Sequence, residues 1–171
     1  MSNSSPSAYL TLIKNSVAVD CGYEAITGDQ ISDSRGESAG TGSGILANKT
    51  AQNCYGRSNN TLGLPGIAGL VADTAQNCCG YCTGGTGLSA RTAQNCDGSS
   101  NTGMGLSADN AQSCYGSSTD SGTGLYASDT AIGCRGDSKS GTGLSAYIAN
   151  SCRRTSGSGT PQSITYKYNM P

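Results

Sequence analysis

Nine cysteines carry most of the chemistry that this 171-residue chain could perform. Thiols at regular spacing can cross-link, hold a soft metal, relay electrons or serve as small apolar filler. Six of them stand at positions 54, 78, 96, 114, 134 and 152, in steps of 24, 18, 18, 20 and 18, and Cys21 stands ahead of them. An odd total fits a disulfide framework poorly. Cys79 and Cys82 form a C-x-x-C, the spacing of redox and zinc sites, yet no second pair accompanies it. The chain has no histidine, which removes Ser-His-Asp and Cys-His catalysis and histidine-ligated zinc. The eleven acidic residues are scattered; Asp33, Arg35 and Glu37 are neighbours and are best explained as a solvated corner. No catalytic, cofactor-binding or metal-ligating residue is expected, and no cofactor.

The element that positions the thiols is a repeat. Ala51-Gln52-Asn53-Cys54-Tyr55-Gly56 returns as Ala75-Gln76-Asn77-Cys78-Cys79-Gly80, Ala93-Gln94-Asn95-Cys96-Asp97-Gly98 and Ala111-Gln112-Ser113-Cys114-Tyr115-Gly116, with weaker copies near 131–136 and 149–152. Ser34 takes the cysteine slot of an earlier copy, 20 residues before Cys54. A second element precedes each copy, as in Gly87-Leu88-Ser89-Ala90 and Gly105-Leu106-Ser107-Ala108. Such self-similarity means stacked supersecondary units. Glycine and serine at fixed slots would weaken any helix, and alternation in Leu88, Ala90 and again in Cys96, Gly98, Ser100 has the period of short strands. The expected fold is all-β: a parallel β-solenoid of seven to eight coils, 18–20 residues each, with about three short strands per coil. It divides into an N-terminal segment (1–16) with the apolar run Tyr9-Leu10-Thr11-Leu12-Ile13, the repeats (17–153) with an insertion near 60–68, and a C-terminal capping segment (154–171).

In that stack equivalent residues form rows about 4.8 Å apart. Cys21, Cys54, Cys78, Cys96, Cys114, Cys134 and Cys152 are expected to form one inner ladder. The roughly 3.8 Å Cβ separation of a disulfide is shorter than the rung spacing, so buried free thiols are expected rather than cross-links. Cys79 and Cys82 should point to opposite faces. Asn53, Asn77 and Asn95 fit a corner, since asparagine tolerates left-handed backbone and stacked amides can bond to one another. Thr50, Thr74, Thr92 and Thr130 form an outer row, a possible binding face such as one for ice, although Gln52, Gln76, Gln94 and Gln112 rather than a second threonine stand beside it. Leu, Ile and Val make up only about 12% of the chain, a fraction usual for disorder; a narrow solenoid with small inner residues accounts for it without disorder and leaves no lumen for a ligand.

The A-x-N-C-x-G-x-S unit with its G-x-G-L-x-A link resembles the repeats of uncharacterised bacterial right-handed parallel β-helix proteins, over residues 17–171, and the ending Ile164-Thr165-Tyr166-Lys167-Tyr168-Asn169-Met170-Pro171 is similar to theirs. The resemblance implies a right-handed coil and no activity that can be carried over. The expected function is a non-enzymatic structural or binding module: a stalk, spacer or surface-display solenoid. An ice- or glycan-binding face is the alternative, and a polysaccharide-active enzyme the third reading. Expected partners are a second copy, through the solenoid ends, and carbohydrate. A net charge of −1 argues against nucleic acid, and no apolar stretch is long enough for membrane insertion as a helix. No secretory leader opens the sequence; the expected setting is extracellular or the cell surface.

Overall fold

The computed structural model describes residues 10–64, 66–160 and 162–170. Tyr9 of the apolar run, Pro65 of the insertion and Pro171 of the ending lie outside them, as do residues 1–8 and Pro161. Long strands alternate with short ones. The long set is β1 (Leu12–Lys14), β3 (Ile26–Ser32), β5 (Ile45–Gln52), β7 (Ala68–Gln76), β9 (Thr86–Gln94), β11 (Leu106–Gln112), β13 (Leu125–Ile132), β15 (Leu144–Asn150) and β17 (Gln162–Tyr168). The short set is β2 (Val17–Cys21), β4 (Arg35–Ser38), β6 (Tyr55–Ser58), β8 (Cys79–Cys82), β10 (Asp97–Ser100), β12 (Tyr115–Ser118), β14 (Arg135–Ser138) and β16 (Arg153–Ser156). The first set forms a nine-stranded sheet and the second an eight-stranded sheet, each in chain order, and every pairing is parallel. The chain is a β-solenoid.

Three expectations need correction. The solenoid has nine long rungs rather than seven or eight coils. The extra ones come from copies whose cysteine slot holds another residue: Ser16 at the start, 18 before Ser34, and Met170 at the end, 18 after Cys152. So the terminal segments are coils themselves: β1 pairs with β3, and β17 continues β15 with Ala149 opposite Lys167. Each coil has two strands, not three. The first two expected strands are one, because the pairing skips a single residue at the corner and resumes in register, where two consecutive residues, such as Arg91 and Thr92, point outward between inner Ala90 and Ala93. The 20-residue coils carry one extra residue at this corner, where the register shifts beside Asn48-Lys49 and Ser128-Asp129. The 24-residue step has its longer connection between β6 and β7.

Six inner rows fill the core. Ile45, Leu70, Leu88, Leu106, Leu125 and Leu144 stack in register, each 0% exposed. Ala47, Ala72, Ala108, Ala127 and Ala146 make a second row, and Ala51 through Ala149 a third. On the short-strand sheet, the inner positions are glycine and serine. Ser58, Ser100 and Ser138 each donate to a turn carbonyl of the preceding coil at 2.7 Å, on Gly42, Gly85 and Gly122. Ser100 and Ser138 also accept from Gly103 N–H at 3.0 Å and Gly141 N–H at 2.9 Å in their own turns. Each of these three hydroxyls therefore ties two coils together without the cost of an unpaired polar group, a cost that Ser38 Oγ in the same row does bear. The C-terminal rung breaks the apolar pattern: Lys167 falls in the third alanine row and Arg154 in the glycine row. Inward-placed charge at an edge strand discourages another strand from adding there.

Candidate functional site

Cysteines 54, 78, 96, 114, 134 and 152 form an inner ladder, each at most 3% exposed. Every one of these thiols donates to the carbonyl two residues back, at 3.2 or 3.3 Å. Ser34 makes the same bond to Ser32 at 2.7 Å and Ser16 to Lys14 at 3.1 Å, which shows the shared slot. Cys21 does not belong to this ladder. It pairs with Ser38, in the inner serine row, because the first short strand shifts register between Ala18 and Cys21. All nine cysteines are free. Contact with neighbouring thiols, together with burial, raises Cys78 and Cys134 above the ordinary thiol range, and Cys96 is pushed up to about 11 chiefly by Cys114. Cys79 is exposed and Cys82 buried, on opposite faces of β8, so the C-x-x-C thiols diverge. No group of three potential metal ligands occurs among the described residues.

Asn53, Asn77 and Asn95 are joined through their amides at a corner. The Asn77 amide donates to Asn53 at 3.3 Å and that of Asn95 to Asn77 at 3.4 Å, while Asn53 donates to the Asp33 carboxylate at 2.9 Å. The row is longer than the sequence pattern showed: Asn15, Asp33, Ser113, Ser151 and Asn169 share its left-handed φ of about 50°, and Gly133 fits it at 60°. From Asn15 to Ser151 the corner N–H continues the coil-to-coil ladder, as Asn77 does to the Gln94 carbonyl at 3.0 Å. Asparagine thus supplies a conformation and an amide bond. Asn77→Ala should lower the urea midpoint by the equivalent of roughly 1–3 kcal/mol, and Asn77→Gly by less than half of that, since glycine enters left-handed backbone freely. Equal losses for the two would show that the conformation is not what asparagine provides.

The outer faces hold the remaining candidates. Thr50, Thr74, Thr92 and Thr130 lie in one register row, interrupted by Asn110 and ended by Ile148. A groove of about 160 Å³ runs beside Thr92, Asn110 and Thr130. The flanking Gln52 and Gln76 amides donate along their own row, at 3.4 and 3.3 Å, to Gln76 and Gln94. On the short-strand sheet, an arginine–tyrosine rail went unread in the sequence. Arg35 lies over Tyr55 at 5.5 Å, and Arg57 over Tyr81 and Arg135 over Tyr115 at 5.4 Å. Arg135 also pairs with Asp137 at 2.6 Å, and Tyr115 donates to the same carboxylate at 3.1 Å. Asp137 is held below the usual carboxylate range: burial would raise it, but donation from Thr155, Arg135 and Tyr115 outweighs that. Asp97, in the outer row of Tyr115 and Arg135 and next to Cys79, is raised by burial. A shallow groove of about 460 Å³ follows Cys79, Asp97 and Tyr115. Asp33 sits in the corner row and Arg35 pairs with Glu37, so that trio divides between two structural uses. The rail's signal was faint because its slots, just after the cysteine and two further on, hold a different residue type in almost every coil.

No protein-family model, curated protein or solved structure matches the chain.

Proposed function

We propose that the protein is a non-enzymatic rod, a spacer or display module, set outside the cell as its resemblance to bacterial β-helix repeats implies. The observation that supports this most is the core. Leucine, alanine, cysteine, glycine and serine rows fill it, and the inner Ser58, Ser100 and Ser138 hydroxyls are tied to turn backbone. Nine rungs at about 4.8 Å separate the ends by roughly 38 Å, held by backbone pairing rather than by linker entropy. The acids Glu37, Asp73 and Asp137 are engaged in pairs with Arg35, Arg91 and Arg135, an arrangement that serves structure better than acid–base work. Small-angle scattering should return a monodisperse rod of that length, and incubation with pectin, xylan or β-glucan should release no reducing ends. Release that is abolished by an Asp137→Asn or Asp97→Asn substitution would overturn the proposal in favour of an enzyme.

Ice binding is the weaker alternative. Ordered water on such a face needs an unbroken hydroxyl row, and here Asn110 and Ile148 interrupt it. No thermal hysteresis is expected at millimolar protein; measurable hysteresis that disappears in Thr92→Tyr would reverse that ranking.

A further inference from the structure

The long-strand sheet changes character near its C-terminal end. At the mid-strand corner its earlier coils present charge: Lys49, Asp73, Arg91 and Asp109. Tyr147 takes that corner in β15, and Tyr126 takes the outward slot that Ser89 and Ser107 hold in earlier coils. These rings are not core. Tyr126 is 38% exposed, Tyr147 48% and Tyr166 49%. Tyr147 and Tyr166 meet edge to face, centroids 5.3 Å apart at 82°, so each restrains the other. The repeat folds without tyrosine at these slots: Leu46, Val71, Ser89 and Ser107 precede Tyr126 in its row, and Thr130 and Ile148 precede Tyr166, and grouped exposed aromatics of this kind mark contact surfaces.

A cleft of about 300 Å³ lies between Tyr126 and Tyr147, floored by Ser145, Ser163 and Thr165. Those three hydroxyls make no side-chain hydrogen bond to other described residues. Ser145 follows Tyr126 directly in register and Ser163 follows Ser145. The cleft therefore offers two tyrosine rings at its rim, that of Tyr147 braced by Tyr166, and idle donors and acceptors below, with no charged side chain lining it. An anion would find no cation there, and an apolar ligand would strand the hydroxyls. A pyranose matches both parts: its C–H faces lie on tyrosine rings while its hydroxyls pair with the floor. We propose that this cleft is a binding site for a neutral saccharide, running along the strand rows of β13, β15 and β17. The inference rests on the non-enzymatic reading, because the sugar is held and not cleaved, and it gives the rod a cargo.

Affinity electrophoresis in native gels containing hydroxyethylcellulose, laminarin, galactomannan or, as an acidic comparison, pectin tests it. At least one neutral polymer should retard the protein two-fold or more relative to a blank gel. Tyr147→Ala and Tyr126→Ala should each remove most of that retardation, and Tyr55→Ala, on the opposite sheet, should leave it intact. Absence of retardation in all three neutral polymers would overturn the site, as would retardation unchanged in Tyr147→Ala. Sedimentation of the free protein supplies a further arm: a concentration-dependent dimer that Tyr147→Ala dissolves would reassign the patch to self-contact and overturn the saccharide. Scattering of the same samples separates the two levels, since an unchanged 38 Å rod without retention defeats the cleft and leaves the spacer standing.

Discussion

Gly116→Ala should cost about 3 kcal/mol or more, whereas Gly22→Ala should cost less than about 0.5 kcal/mol. A Cβ on Gly116 would lie 2.3 Å from the Gly124 carbonyl oxygen and 2.8 Å from both the Gly124 carbonyl carbon and Leu125 Cβ. The atoms in the way are chiefly backbone, which cannot turn aside as a side chain end would. The same approach recurs at Gly56, Gly80, Gly98 and Gly136, where the nearest obstacle is again the carbonyl oxygen of a glycine, at 2.2 or 2.3 Å. Two glycine rows therefore press together along the rod, one inside the short strands and one just ahead of each leucine. A single methyl group forces the short strand away from the leucine row, and coils on both sides must follow because they share register. Against a total stability on the order of 5–15 kcal/mol the effect is large. Nothing lies within 4 Å of a Cβ on Gly22, so that variant controls for loss of glycine as such. Urea unfolding followed by far-ultraviolet circular dichroism is the measurement, with midpoints compared because repeat arrays can depart from two-state behaviour. Equal midpoints for the two variants would mean that the glycine rows are not in contact in solution.

Much of this architecture was legible because it is repeated. One leucine followed by alanine proves little, but six copies of Gly-x-x-Ala with leucine or isoleucine placed an inner row, and the cysteine spacing set the coil length. What escaped was whatever departs from the consensus. Ser16 and Met170 hold the cysteine slot in the outermost coils, so both ends looked like caps. Cys21 has the right residue type but sits past a register shift, so it was placed in the wrong row. Two strands instead of three also follow from physics that spacing hides: at the corner the pairing skips only Arg91 and resumes in register at Thr92, so the strand continues while its side chains turn. The outer faces were least readable. Inner slots are constrained by packing and recur, whereas outer slots such as that of Tyr55, Cys79, Asp97 and Tyr115 vary freely, and only three-dimensional stacking shows which of them are neighbours.

Native protein treated with an aromatic disulfide reagent should show one fast thiol, Cys79, a slower second, Cys21, and seven that react at least 10³-fold more slowly than in urea. Cys79 alone points outward from its strand, and Cys21 is only partly covered. The other seven are at most 3% exposed, so reagent reaches them only when coils part. A local opening free energy of about 4 kcal/mol is enough for that protection, at 1.4 kcal/mol for each factor of ten. Thiolate supply does not explain the protection, because neighbouring thiols raise Cys78, Cys96 and Cys134 but lower Cys54, Cys114 and Cys152; burial must carry it. The protection should not be even. A solenoid frays from its ends, where a coil has one neighbour instead of two, so Cys152, one rung from the C-terminal edge, should label before Cys96. Cys79→Ser should delete the fast phase and leave the rest unchanged. Oxidation should not link adjacent rungs: rungs are about 4.8 Å apart, the roughly 3.8 Å disulfide Cβ separation is shorter, and each ladder thiol is already turned toward the carbonyl two residues behind it. Mass spectrometry of the alkylated protein reads both results at once. Three or more fast thiols, or a recovered Cys96–Cys114 disulfide, would mean that the thiol row is open to solvent, and a dry, serine-stapled interior could not survive that finding.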